Sequence, residues 1–131
     1  SSVFASDKND SYLCVAEEAT GFFFDNVSWK QAKFNVKEHK FLIRKLKEDE
    51  QILFEKGFTY GAIELGSNYP ETSCLPPNKH TGNIICNNDL GELKFSPNVG
   101  RFIKTYTSGY WSGEDNNNNT PYIERGKCSK L

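Results

Sequence analysis

The densest run of recognition chemistry in the chain is Gly109-Tyr110-Trp111-Ser112-Gly113-Glu114-Asp115. Two large rings beside two carboxylates, bounded by glycines, suit an exposed binding face, because rigid aromatic side chains supply contact area at little entropic cost. Tyr110, Trp111, Glu114 and Asp115 are therefore the candidate binding residues. The competing reading puts Tyr110 and Trp111 beneath the core, where large aromatics are mostly buried. The run continues into Asn116-Asn117-Asn118-Asn119, read as a mobile loop. Asp115, Asn117 and Asn119 have the alternate spacing of calcium ligands. Counting from Asp115, however, Thr120 and Gly126 stand where an EF-hand loop needs Gly and Glu, so no metal is assigned.

The four cysteines are Cys14, Cys74, Cys86 and Cys128. None forms the Cys-x-x-Cys pair that a zinc ribbon or a thioredoxin-like site needs. Cys74 and Cys86 enclose the turn-rich Pro76-Pro77-Asn78 and Thr81-Gly82-Asn83, which can fold back and bring two sulfurs together. Cys14 and Cys128 lie near the two chain ends, which are often close in space. The expected pairing is thus Cys74 with Cys86 and Cys14 with Cys128, which implies an oxidising compartment. His80 lies between Cys74 and Cys86, but a disulfide with an exposed histidine is preferred there over a zinc site.

Acid–base chemistry is poorly supplied. His39 and His80 are the only histidines, and His39 sits in Lys37-Glu38-His39-Lys40, read as a solvated charged stretch. There is no Gly-x-Ser-x-Gly elbow, Walker loop or Gly-x-Gly-x-x-Gly. Carboxylates such as Glu17, Glu18 and Glu124 are the remaining candidates for a hydrolase acting on the cell envelope. No catalytic residue and no cofactor is assigned, which leans away from an enzyme.

The elements that must position these groups read as β-structure. Runs with period two, bounded by Gly, Asn, Asp and Pro, cover Tyr12 to Glu17, Trp29 to Val36, Lys40 to Lys47, Thr59 to Leu65, Glu92 to Phe95, Arg101 to Thr107 and Tyr122 to Arg125. Ile52-Leu53-Phe54-Glu55 reads as the start of a further strand, and Lys47-Glu48-Asp49-Glu50 as a charged turn. Helix is the lesser alternative for residues 16–20 and 37–51. The expectation is an all-β antiparallel meander of about eight strands, a small barrel or curved sheet with two disulfides. Its 131 residues make one domain, 11–131, preceded by a flexible tail, 1–10. Val3 and Ala5 in that tail have the small side chains of a signal-peptide cleavage region. A net charge of −1 argues against nucleic acid as the partner, and no apolar run is long enough for a membrane helix.

Tyr12-Leu13-Cys14-Val15-Ala16-Glu17, Trp29-Lys30, Gly109-Tyr110-Trp111 and the block Thr120-Pro121-Tyr122-Ile123-Glu124 with Gly126-Lys127-Cys128-Ser129 resemble a group of small exported bacterial proteins of unassigned function. The resemblance implies export, to the periplasm or outside the cell, and supports cysteine pairing. It carries no catalytic residue. The leading functional expectation is an exported binding protein, such as an inhibitor or immunity-like protein, that meets another protein through exposed loops. The alternatives are a small-molecule carrier with an apolar barrel interior and the carboxylate hydrolase.

Overall fold

The computed structural model describes residues 11–131. The tail 1–10, with the cleavage residues Val3 and Ala5, lies outside the described residues. Nine strands follow in order: β1 (Tyr12–Phe24), β2 (Trp29–Phe34), β3 (Lys40–Lys45), β4 (Tyr60–Glu64), β5 (Thr72–Cys74), β6 (Ile84–Asn88), β7 (Gly91–Ser96), β8 (Arg101–Tyr106) and β9 (Tyr122–Lys130). Every pairing is antiparallel, and β1 pairs with β9 as well as with β3. That last seam closes β1 and β3 to β9 into an eight-stranded barrel, while β2 stands beside the far half of β1 as an extra strand. Closure removes the exposed edges that an open sheet of this length would leave.

The two cystines form as expected, Cys14 with Cys128 and Cys74 with Cys86. Each joins residues directly opposite on neighbouring strands, and all four sulfurs' residues belong to the core inside the barrel. Around them the alternation of each strand sends Tyr12, Phe41, Ile43, Ile84, Leu93, Phe95 and Phe102 inward. The rings meet edge to face, Tyr12 on Phe95 at 4.8 Å and Phe41 on Phe102 at 5.0 Å. An eight-stranded barrel has an interior that side chains can just fill. They fill it here at the end where β1 begins and β9 finishes.

β1 is one strand of 13 residues, running well past the Tyr12 to Glu17 expected from the alternation and through the segment 16–20 for which helix was the alternative. A bulge between Ala16 and Glu18 lets it bend and continue along β9. Gly126 of β9 makes that close approach possible. A Cβ there would lie 2.1 Å from the Val15 carbonyl oxygen and 2.5 Å from Phe102. Gly126→Ala should therefore destabilise the protein by about 2–3 kcal/mol through overpacking, read as a lower urea midpoint. An unchanged midpoint would show that the seam yields more easily than this geometry allows.

The segment expected as a strand from Ile52 is instead part of the β3–β4 connection. A short helix, α1 (Glu48–Gln51), occupies what reads as a charged turn. Glu50 is buried there, gripped by both terminal nitrogens of Arg44 at 2.7 and 2.8 Å and by the Lys47 amide at 2.9 Å. The Arg44 guanidinium holds the Glu50 carboxyl down to about 2. β3 and β4 pair directly, Lys45 opposite Tyr60, so no partner edge is left for residues 52–55, and Ile52 and Leu53 are exposed.

Candidate functional site

At the other end of the barrel the inward positions change character. β4 ends in Glu64, β8 carries Lys104 and Tyr106, and β9 begins with Tyr122 and Glu124. Lys104 and Glu124 are direct partners across β8 and β9. These residues surround a cavity of about 410 Å³ that Glu64, Glu71, Lys104, Tyr106 and Tyr122 help to line. Phe41, Ala62, Leu90 and Leu93 share the wall, so this mouth sets charged and hydroxyl groups among apolar ones.

His39 completes the cluster from the loop before β3, and it is not on a solvated face. Its Nδ1 donates to Glu124 Oε1 and its Nε2 to Glu64 Oε1, the latter at 2.7 Å. With both ring nitrogens facing carboxylates, the imidazolium form is favoured, and the two hydrogen bonds raise the His39 pKa to about 9 against the opposing effect of burial. Burial would raise Glu64, but the His39 hydrogen bond and the charges of His39 and Lys104 outweigh it and leave Glu64 below its usual value. Burial at the rim, with the Glu64 charge, pushes Glu71 up. Loss of water pushes the Tyr122 phenol up as well. Lys104 reaches Glu64 at 3.8 Å and lies over the Phe41 ring at 5.8 Å.

Glu17 and Glu124 do not form a carboxylate pair. Glu17 is on the outer face, bound to Arg125 at 2.9 Å, with Lys127 at 3.8 Å, whereas Glu124 is buried inside. Glu18 joins the same outer set through Arg125 at 3.3 Å. His80 is exposed in the loop between the cystine halves.

Beside the mouth is a second feature. The β8–β9 connection makes one 3-10 turn, Tyr110–Ser112, and folds onto the projecting β1–β2 hairpin. A cleft of about 720 Å³ opens there between Phe22, Trp29, Tyr110, Trp111, Pro121 and Asp89. Phe22, Tyr110 and Trp111 are 47%, 59% and 75% exposed, so the two loop rings do not lie beneath the core. Trp29 packs on the edge of Tyr110 at 5.4 Å and donates its indole N–H to Asp115 at 3.0 Å.

Of the four residues singled out in the sequence, Tyr110 and Trp111 thus line the cleft, while Glu114 and Asp115 hold it in shape. Glu114 accepts from Ser112 and Asn119, each at 3.2 Å. The asparagine run is tied down rather than loose. Asn117 clasps the Phe24 backbone, accepting from its amide and donating to its carbonyl, both at 2.7 Å, and Tyr106 donates its hydroxyl to Asn119.

This is a closed antiparallel barrel with a mouth and an aromatic cleft at one end. No family model, no curated protein and no solved structure matches the chain.

Proposed function

We propose that this chain is an exported binding protein that recognises its partner at the open end of the barrel, through the aromatic cleft. One observation carries the reading: three large rings, Phe22, Tyr110 and Trp111, stay exposed around a single cleft whose walls are fixed by Asp115, Asn117 and Asn119. Folding gains little from leaving these rings in water. Preformed clefts with aromatic walls are where binding energy concentrates. Two cystines support an oxidising compartment. The mouth supports binding over catalysis: His39 is held between two carboxylates, and Glu124 is committed to it. The carrier reading has less support, since the apolar half of the interior is filled by Tyr12, Ile43, Ile84 and Phe95.

The test uses the oxidised protein, immobilised and challenged with cell-envelope extract, alongside Trp111→Ala and the outer-face control Glu17→Gln. Trp111→Ala should lose the captured partner, a change of about 2 kcal/mol or some 30-fold in affinity, with no fall in melting temperature. Glu17→Gln should retain it. Equal capture by Trp111→Ala would refute the reading.

A further inference from the structure

We infer that the aromatic cleft is a site for an organic ammonium group, a reading that rests on the cleft being the binding face and names what it takes. Phe22, Trp29, Tyr110 and Trp111 offer it four π-systems. Ring faces attract cations electrostatically, most strongly when the cation carries alkyl groups that also shed water on contact. Among the described residues the only charged one on the lining is Asp89, in the two-residue turn between β6 and β7. Among the described residues no lysine or arginine lines the cleft, so an anionic ligand would find no counter-charge from them, whereas a cation finds a carboxylate and ring faces together.

The surroundings have the same sign. The strand ends that flank the cleft also build the mouth: Asn88 and Leu90 beside Asp89, Tyr106 beside Thr107, and Tyr122 beside Pro121. Within that mouth Glu64, Glu71 and Glu124 outnumber the cations His39 and Lys104. A field of this sign draws cations toward the open end. The Trp29–Tyr110 part of the wall is set before a ligand arrives, because Trp29 is fixed by Asp115 and by its edge-to-face contact with Tyr110. Preorganisation of this kind lowers the cost of binding. The same chemistry comes either as a free alkylammonium molecule or as a methylated lysine side chain of a partner protein.

Both tryptophans of the chain line the cleft, so intrinsic fluorescence reads it directly. The oxidised protein is titrated with choline, with tetramethylammonium, with the neutral tert-butyl analogue of choline, and with a short peptide containing trimethyllysine. Choline should give a saturable change, and the neutral analogue should bind at least about tenfold more weakly. Asp89→Asn should weaken choline about tenfold and leave the neutral analogue unchanged, and Trp111→Ala should abolish the response of both. Tighter binding of the peptide than of choline assigns the group to a partner side chain, and the reverse order assigns it to a free ligand. Equal affinity for choline and its neutral analogue, or no saturable response to any of the three cations, overturns the proposal. If that happens while capture from envelope extract still depends on Trp111, the ligand class is wrong and the binding reading stands. Loss of that dependence defeats the binding reading itself.

Discussion

Replacing Cys14 and Cys128 together by alanine should lower the unfolding free energy by about 5 kcal/mol, against about 3 kcal/mol for Cys74 and Cys86. The difference follows from the chain between the sulfurs. Cys14 and Cys128 are 114 residues apart, whereas Cys74 and Cys86 are 12 apart. Release of the longer loop frees more of the unfolded ensemble. The position in the fold acts in the same direction. The β1–β9 seam is where the barrel closes, and its cystine joins the first strand to the last. The other cystine links β5 to β6, near neighbours that a short connection already holds together. Small domains have about 5–15 kcal/mol of total stability, so the first loss takes a large share and the second a smaller one. Urea unfolding of the two double variants beside the oxidised parent measures both. An equal or smaller loss for the Cys14/Cys128 variant would mean that the seam is held by its backbone ladder and packing, not by the cross-link.

The features that the sequence disclosed were those with a local signal. Period-two runs placed β2, β3, β4, β7 and β8, and put Phe102, Lys104 and Tyr106 on one face, which is the barrel interior. Cysteine spacing gave both cystines. β5 was missed because its three residues are too few to show alternation. The length of β1 was missed because a bulge at Ala16/Glu18 shifts its phase, so that Ala19 rather than Glu18 returns to the buried side. The site failed to show for a different reason: its members are neighbours only after closure. His39 meets Glu64 at a separation of 25 residues and Glu124 at 85, and its own neighbours Lys37, Glu38 and Lys40 look like any solvated run. Asn117 reads as low complexity until the Phe24 backbone arrives 93 residues away. Phe22 and Trp29 come from the β1–β2 hairpin and Asp89 from the β6–β7 turn, and they share the cleft with Tyr110 and Trp111 only through the fold. The aromatics were still legible, because a glycine-bounded pair of large rings is unusual in a turn. The charged partners were not, because single carboxylates in polar segments carry no pattern.

The cluster at His39 is expected to make stability fall as the solution becomes alkaline. In the folded protein His39 keeps its proton to about pH 9, whereas in the unfolded chain it loses it near 6.5. Below 6.5 both states are protonated and the contribution of the two carboxylates is complete. Between 6.5 and 9 the folded state binds the extra proton, so each rise in pH favours unfolding, and above 9 the contribution is gone. The full shift corresponds to about 3 kcal/mol, reduced to about 2 kcal/mol by solvent screening at a partly open site. Glu64, held below its usual value, keeps its charge through this window, and the Tyr122 phenol, pushed up by burial, titrates above it. His39→Asn should therefore unfold with a midpoint that is nearly flat between pH 7 and 9, and below the parent at pH 7. His39→Ala should cost more, about 3–5 kcal/mol, because Glu124 is 2% exposed, His39 bonds its Oε1, and its Oε2 has no hydrogen-bond partner among the described residues. A charge stranded in that position is more damaging than the lost attraction alone. The double variant His39→Ala/Glu124→Leu separates the two effects, since removing both members of a buried pair is often near neutral. It should recover most of the stability that His39→Ala loses. No recovery, together with a parent stability that does not change from pH 7 to 9, would show that His39 is neutral between its carboxylates and that the cluster is held by packing instead.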